Sequence, residues 1–545
     1  MIAPRHKQQS GNRQFAGGDS PSPPAAEGQS KFAGMLATAA RQATVPQWLI
    51  VGVACAVLGV YVTNISILPA RFAPLSVLGV LFVCAALVVP DVRKLLLAVI
   101  ILDIPIQLDI HLSYRTDIPL GDLGGWDISA TTMALVLLYA SWLAQLLARF
   151  PGAPRPRFRV TIPLALFLAF ATLSAVVAHD AELSMFEVFL LVQMFLLYLY
   201  IVSTVRTQQD VLFLVTMLLV SLFLESAIIL GLSAVGREID VLGIGGRVEV
   251  RTGYEAAGPA YRVAGTLGSP NNAASFVSLL LPVAISVLLS GLGRWYKCLA
   301  ALAFCAGLAA LILTFSRGGW IAFAVSMTIV CLLAWRRGWL APAIPLVIAG
   351  LVLLVGLLFA EPISSRLVVD QSAESRVPLI ELAFRIIRDH PLFGIGVNNF
   401  MAILKQYVTP EFDFAWLAPV HNKYLLVWAE TGIGGLVAFV LFLLVTLRRG
   451  WQSWGGKNRL LCLLGLGLTA GIAGQMAHML VDIFQSRPQV ELLWIVAALV
   501  TAIYTINLEW ASEEQVDGVE AGSRAGSEGR APVARGQNRA LPQRV

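Results

Sequence analysis

The chain has 545 residues, of which 57% are hydrophobic and only 13% are charged, and its mean hydropathy is +0.76. A soluble domain normally carries about a quarter charged residues, so the composition excludes a soluble protein and predicts an all-α polytopic membrane protein. The net charge of +6 comes largely from basic loops and tails. No basic patch is interleaved with stacking aromatics, so we do not expect nucleic-acid binding.

Hydrophobic stretches predict about 12 to 14 transmembrane helices, since several are near the ~20 residues that a span requires. The third stretch is short and contains Asp103 and Pro105, which predict a re-entrant or broken segment. The stretches lie near 47–66, 72–90, 94–108, 128–148, 160–178, 185–204, 211–235, 272–291, 297–315, 318–335, 340–360, 422–447, 459–481 and 489–508.

Four regions follow from this pattern. A cytoplasmic N-terminal tail, 1–45, and a cytoplasmic C-terminal tail, 509–545, are predicted to be disordered because they cannot bury enough apolar surface to fold alone. Between them lie N-terminal transmembrane helices, 46–260, and a second membrane region, 261–508. The second region contains a large polar loop, 361–421, which we expect to be partly helical.

Basic residues in the short loops set the orientation, since such residues stay on the cytoplasmic side. Placing the N-terminus inside puts Arg93-Lys94, Arg336-Arg337 and Arg448-Arg449 on the cytoplasmic face. The acidic loop around Asp109 and loop 361–421 then fall on the opposite face. We therefore expect both termini in the cytoplasm.

Acidic residues inside the hydrophobic stretches either mark a polar pathway or hold the arginines in place, and we favour the second role. They are Asp103, Glu187, Glu225 and Glu430, with Asp482 near a helix end. All six cysteines lie inside hydrophobic stretches. No zinc-ligand spacing and no external disulfide is expected of them.

The first polar cluster surrounds Arg262. Ser269 is placed to cap the following helix, and Pro270 suits its first turn. A helix N-terminus beside an arginine suits a phosphate. The alternative is a well-capped membrane helix with an interfacial arginine.

The second cluster runs from Thr314 to Trp320, where two hydrophobic stretches meet with almost no loop. We expect Gly318 and Gly319 to allow a tight reversal and Arg317 to lie at the external membrane boundary. There it would meet the head group of a lipid-linked substrate. The alternative is a snorkelling arginine beside an interfacial tryptophan.

The third cluster is loop 361–421 itself. An amphipathic helix is predicted from Arg376 until His390-Pro391 stops it. A cation in its first turn opposes the helix dipole, which is more readily explained if Arg376 serves an anionic ligand. Glu381 and Arg385, four residues apart, are spaced to pair on the helix. His421 precedes the next span, where a neutral imidazole could take a proton from a sugar hydroxyl or lie at the interface without chemistry.

Four motifs then occur in a fixed order, with the large loop between the second and the fourth. They read Arg262-x-x-Gly-x-x-Gly-Ser-Pro-Asn-Asn, Ser316-Arg-Gly-Gly-Trp, His390-Pro-Leu-Phe-Gly-Ile-Gly and His421-Asn-Lys-Tyr…Glu430-Thr-Gly-Ile-Gly-Gly. In this order they resemble the bacterial O-antigen ligase and polymerase family. The resemblance covers about 260 to 500, and the preceding helices fit the family only by topology.

The resemblance implies a metal-independent glycosyltransferase of the bacterial inner membrane, with a GT-C-like fold, a periplasmic active site and no cofactor. Arg317 and Arg376 would bind and stabilise a diphosphate leaving group, with Arg262 assisting. His421 would be the base that activates the acceptor hydroxyl. The supporting candidates are Asn422, Glu430, Arg385 and Asp482.

The implied donor is an undecaprenyl-diphosphate-linked glycan, and the acceptor is a second glycan or a lipid A-core. Membrane lipid, a flippase and a chain-length regulator are the other expected partners. Arg247 to Gly258 and Arg385 to Gly396 fit an Arg-x10-Gly pattern that polymerase members carry. The chain has 46 glycines in 545 residues, so about one arginine in twelve meets this spacing by chance. We favour a polymerase mainly because exopolysaccharide and O-antigen polymerases are the more numerous members of the family, with a ligase as the alternative.

Two other function classes stay open. A transporter would be favoured by broken helices near the bilayer midplane; only the third stretch offers one, and no matching interruption is expected in the second half. The other class is a non-catalytic component of a polysaccharide export system, which the intact set of arginines and histidine disfavours.

Overall fold

A computed structural model describes residues 45–63, 80, 91–115, 117, 123–147, 159–236, 239–241, 244–250, 261–341, 343, 350, 376–408 and 418–528. Within these residues the protein is an all-α polytopic membrane protein, with eight helices long and apolar enough to cross a membrane. The chain divides into two compact units, Met1–Val92 and Arg93–Val545. The first contributes the apolar helix α1, and the second contains everything described below.

The helices and strands follow one another along the chain as long apolar helices with short polar elements between them. The helices are α1 Val45–Thr63, α2 Val92–Ile106, α3 Ala130–Leu147, α4 Ile162–Ser174, α5 Ala181–Thr204, α6 Gln208–Val235, α7 Pro270–Leu289, α8 Arg294–Leu313, α9 Arg317–Arg336, α10 Arg376–Asp389, α11 Phe400–Tyr407, α12 Lys423–Trp454, α13 Arg459–His478 and α14 Arg487–Glu528. The strands are β1 Asp109–Leu112, β2 Trp126–Ser129, β3 Ile239–Val241, β4 Ile244–Val250 and β5 Tyr261–Gly265. β1 and β2 form an antiparallel hairpin, and β3, β4 and β5 form a separate antiparallel sheet in that order.

Each predicted hydrophobic stretch coincides with one of these helices, except 72–90 and 340–360, which lie almost wholly outside the described residues. The count of 12 to 14 spans therefore stays a prediction. In the third stretch, α2 ends at Ile106, one residue after Pro105, and is 15 residues long, so the predicted re-entrant or broken segment stays a prediction. A proline cannot donate to the carbonyl four residues earlier, and Ser221 donates to that carbonyl, Ile101 O, at 3.2 Å instead.

The last helix, α14, continues to Glu528, past residue 509 where the C-terminal tail is predicted to begin. Extending an existing helix avoids the cost of nucleation. The predicted disorder of 509–545 stays a prediction. Residues 1–44 and 529–545 lie outside the described residues.

The centre of the bundle is formed by α7, α13 and α14. The apolar window of α14 is 89% buried, whereas that of α8 is only 28% buried. Glycines on α13 let it approach its neighbours: a Cβ at Gly467 would lie 2.5 Å from Ser286 Oγ, and one at Gly471 would overlap Leu279 O of α7. Small residues four apart are the usual means of close helix packing in a membrane.

The polar elements gather at one end of the bundle. Gln107, which follows α2, donates to Thr266 O at 2.8 Å after β5, and the Asn398 side chain before α11 pairs with the backbone of Leu123 at 2.9 Å. Gln485, before α14, also donates to Asn398, at 3.2 Å. We call this end, which carries the hairpin β1–β2, strand β5 and the helices α10 and α11, the polar face.

Basic residues that the sequence assigns to short loops lie at the other end. Arg93 pairs with Asp210 at 2.6 Å and Arg159 with Glu509 at 2.7 Å. Arg449 donates to Thr161 at 2.8 Å. The separation of basic loops from the polar face is the pattern on which the predicted orientation rests.

Packing at α13 gives a first prediction. We expect Gly471→Ala to destabilise the protein by about 1–3 kcal/mol, because the added methyl overpacks the contact with α7, and to lower the thermal unfolding midpoint in detergent. The matched control is Gly231→Ala on α6, where an added Cβ has nothing within 4 Å. Equal midpoints in the two variants would show that α13 and α7 are not in close contact.

Candidate functional site

The spanning helix α12 is interrupted at Gly432, which has φ +73°. The interruption exposes backbone groups that a helix would pair internally. The segment from Pro391 to Gly396 supplies the partners: Ile395 N and Gly396 N donate to Ala429 O and Glu430 O, both at 3.0 Å, and Ile433 N donates to Pro391 O at 3.0 Å. Two of the four sequence motifs thus bind each other directly.

Glycine is required on both sides of this junction. Gly394 and Gly432 both have a positive φ, which other residues seldom adopt. A Cβ at Gly394 would overlap the Glu430 carbonyl group, and one at Gly432 would overlap Leu392. The prediction that the second half has no interrupted span is therefore wrong. Since the freed backbone groups are paired within the protein, the interruption fixes a loop in place.

Buried acids near the junction face a lysine. A cavity of about 20 Å³, enough for one water, is lined by Glu187, Lys423 and Glu430 among others. All three residues are buried, and the Lys423 charge acts on both carboxylates. Glu430 also accepts from Phe400 N, at the start of α11, at 3.3 Å.

We expected the buried acids to hold arginines, and this is correct for Asp103, which pairs with Arg487 at 2.9 Å. It is wrong for Glu225, which accepts from Thr266 N at 2.9 Å and from the hydroxyl of the same residue at 2.6 Å. The prediction is also wrong for Glu187 and Glu430, which face Lys423 and not an arginine. An uncharged donor or a lysine satisfies a buried carboxylate as well as an arginine does.

The connector, which we define as residues 479–486 between α13 and α14, joins the starts of α10 and α12. Three successive carbonyls accept from three residues: Met479 O from Lys423 N at 2.8 Å, Leu480 O from the Asn422 side chain at 3.2 Å, and Val481 O from the Arg376 guanidinium at 3.4 Å. Asn422 also caps α12. The connector therefore brings Arg376, at the start of α10, to the start of α12.

The charges of Arg376 and Asp482 both act on the His421 imidazole. Burial lowers the pKa of His421 from its ordinary 6.5, the Arg376 charge lowers it further, and Asp482 opposes both. The imidazole is therefore neutral at neutral pH. Asp482 is buried and accepts from Gln489 at 2.8 Å and from Phe484 N at 3.3 Å.

Arg262 lies in β5 and links the first turn of α7 to the turn between α8 and α9. Its Nε donates to Thr314 O and its Nη2 to Asn271 Oδ1, both at 3.0 Å, and Ser316 Oγ lies 3.0 Å from the same Asn271 oxygen. The predicted cap is confirmed, since Ser269 accepts from Asn272 N at 3.2 Å. Arg262 is thus bound to the turn that immediately precedes Arg317.

Gly318 and Gly319 do not form the reversal, contrary to the prediction. They lie in the first turn of α9, which Ser316 caps, and the reversal instead passes through Phe315, which has φ +50°. Their role is close packing: a Cβ at Gly318 would lie 2.5 Å from the His478 ring and 3.0 Å from Val481. Arg317 thereby starts its helix against the end of α13 and the connector.

The predicted residues consequently form two groups that meet at His478 and the connector. Arg262 and Arg317 belong to one group, and Arg376, His421, Asn422 and Asp482 to the other. Glu430 belongs to neither group and lies at the interruption of α12. Arg385 is exposed on α10, and its predicted pair with Glu381 is absent, although both residues are described.

Sequence reasoning missed His478 and Lys423. The contact of His478 with Gly318 joins residues far apart in the chain, so its local sequence gives no signal. Lys423 was visible within the motif His421-Asn-Lys. A lysine between a histidine and a hydrophobic stretch would have been a reasonable partner for the intramembrane acids.

Comparison with known proteins agrees with the resemblance over part of the chain. Residues 300–440 match the family model described as O-Antigen ligase. The matched part runs from α8 into α12 and includes Arg317, Arg376 and His421, whereas Arg262 and the connector lie outside it. No curated protein matches the chain. Over residues 300–440, this chain is therefore similar to the O-antigen ligase family.

Proposed function

We propose that the protein is an inner-membrane glycosyltransferase that polymerises undecaprenyl-diphosphate-linked oligosaccharide units at the periplasmic face. The observation that carries the proposal is the arrangement of Arg376 and His421 around the connector, which also contacts the first turn of α9 that begins at Arg317. A cationic group and a neutral imidazole at one site suit departure of an anion combined with proton removal.

The reaction would be a displacement at the anomeric carbon of the donor sugar. The acceptor hydroxyl oxygen forms the new bond to that carbon, and its proton passes to the free nitrogen of His421. The bond from the carbon to the diphosphate oxygen breaks, and the electron pair leaves with the diphosphate. Arg317 and Arg376 stabilise the charge that develops there.

In this proposal the guanidinium groups serve the step without a metal at the diphosphate. Each is always charged, and its planar donors match phosphate oxygens. Arg262 would assist at the phosphate site, and its bonds to Thr314 and Asn271 support a role in positioning Arg317.

The cellular setting follows from the charge pattern. The basic end of the bundle would face the cytoplasm, with both termini on that side, and the polar face would lie in the periplasm. A flippase would deliver the lipid-linked donor, and a chain-length regulator would act on the growing polymer.

A ligase that transfers the polymer to a lipid A-core acceptor is the second candidate, favoured by the description of the matched family. Transport is less well supported. Asp103, the acid on which that hypothesis depended, is held by Arg487, and the interruption of α12 is filled by loop backbone.

We expect Arg376→Ala and His421→Ala to lower the initial rate of polymer formation in isolated membranes by at least about 100-fold. This is the usual cost of removing an anion-stabilising group or a general base. Arg388→Ala is the control, because Arg388 lies exposed on the same helix. Membrane levels should be equal in all variants. Normal long polymer in either test variant would remove that residue from the mechanism.

The acid limb of the pH–rate profile, where the rate rises with pH, tests whether His421 is the base. Only the neutral imidazole accepts the proton, so the rate should rise with pH through the His421 pKa, which lies below 6.5, and then level off. Asp482 raises this pKa, so Asp482→Asn should move the limb to lower pH. Asp389→Asn, at the exposed end of α10, should leave it in place. A limb that Asp482→Asn does not move would assign the base to another group.

The glycan profile of a deletion strain separates the two candidate enzymes. Loss of a polymerase should leave single repeat units on the lipid carrier or the acceptor. Loss of a ligase should leave full-length polymer that is not attached to lipid A-core. We expect the first outcome, measured by electrophoresis of extracted glycans with and without mild acid cleavage of the diphosphate link.

A further inference from the structure

The hairpin β1–β2 places three metal-ligand side chains together on the polar face. In its antiparallel register His111 lies opposite Asp127, and Asp109 lies opposite Ser129. Residues two apart on a strand share a face, and opposite residues are neighbours on it. One ligand atom from each of Asp109, His111 and Asp127 lies within 4.8 Å of the others.

The surroundings of the hairpin carry an excess of negative charge. Arg487 lies 2.9 Å from Asp103, 3.4 Å from both Asp109 and Asp127, and 3.6 Å from Glu491. The single Arg487 guanidinium therefore lies within ion-pair distance of four carboxylates. A buried carboxylate that lacks a compensating partner is costly, so this region favours a further positive charge.

Protein donors satisfy only part of the cluster. Asp103 accepts from Leu108 N at 2.9 Å, from Thr131 N at 3.1 Å and from the Thr131 hydroxyl at 3.0 Å. Asp127 is only 2% exposed, yet its Oδ1 has no hydrogen-bond partner among the described residues. This orphaned oxygen belongs to the carboxylate that faces His111, and it is an independent sign of a missing ligand.

We propose that Asp109, His111 and Asp127 bind one divalent transition-metal ion, with Zn²⁺ as the best fit. Two carboxylates and an imidazole suit Zn²⁺ better than Mg²⁺, which prefers oxygen ligands alone. Ligand atoms on a tetrahedral ion are about 3.4 Å apart, so the hairpin closes slightly on binding. Asp109 and His111 are accessible from solvent, and exchangeable water completes the coordination.

This site is separate from the diphosphate site and takes no part in glycosyl transfer. Its metal neutralises the excess charge around Arg487, at the first turn of α14. That turn also carries Gln489, which holds Asp482. The ion therefore stabilises the end of α14 on which the connector is anchored.

The test uses the full-length protein in detergent, freed of any histidine tag and stripped with a chelator. Zn²⁺ is added and counted by mass spectrometry of the metal, and Co²⁺ is used as a probe whose visible d–d absorption reports imidazole and carboxylate ligation. We expect one ion per chain and a higher thermal unfolding midpoint. Mg²⁺ should not replace Zn²⁺.

His111→Ala and Asp109→Asn should each weaken Zn²⁺ binding by at least about 10-fold, since even changes around the ligands of a metal cost that much. Both residues are exposed or half-buried, so the variants should fold. His390→Ala, another exposed histidine, is the matched control and should bind as the wild type does. The proposal fails if the wild-type protein binds no Zn²⁺ or if His111→Ala and Asp109→Asn bind it equally well.

Discussion

The docking of residues 391–396 against the interruption of α12 is the constraint on which the site depends. A helix broken near the membrane leaves backbone groups that must find partners within the protein. Here the loop supplies them, and the helix supplies partners for the loop in return. Because each side requires the other, the loop cannot move away without leaving buried polar groups unpaired. Residues 391–396 are thereby held in place by backbone hydrogen bonds.

The connector extends this constraint to the other side of the site. Its carbonyls accept from the starts of α10 and α12, and Val481 packs near Gly318 at the start of α9. The starts of α9, α10 and α12 converge at this point, and each contributes a predicted site residue. Their positive dipole ends add to the field that an anion would meet. The residues that build the site thus come from distant parts of the chain, yet a short segment of backbone fixes their relation.

Sequence reasoning succeeded where the cause is local. The stop of α10 before His390-Pro391 and the cap at Ser269 each depend on a few neighbouring residues. It failed at Gly432 and Gly318, because the conformation or packing of each glycine is set by backbone or side chains far along the chain. The proximity of Glu187 to Lys423 was missed for the same reason. One-dimensional patterns indicate which residues are polar and buried, but the partner of each is decided by the fold.

Arg487 is surrounded by carboxylates, so its charge neutralises buried acids beneath the hairpin. A further anion competes poorly with carboxylates that are already in place, and Arg487 is for this reason a poor ligand for phosphate. Arg262 donates to Thr314 O and Asn271 Oδ1, and Arg376 donates to Val481 O. A neutral acceptor orients a guanidinium without adding a negative charge beside it, so these bonds are compatible with an anion at the connector.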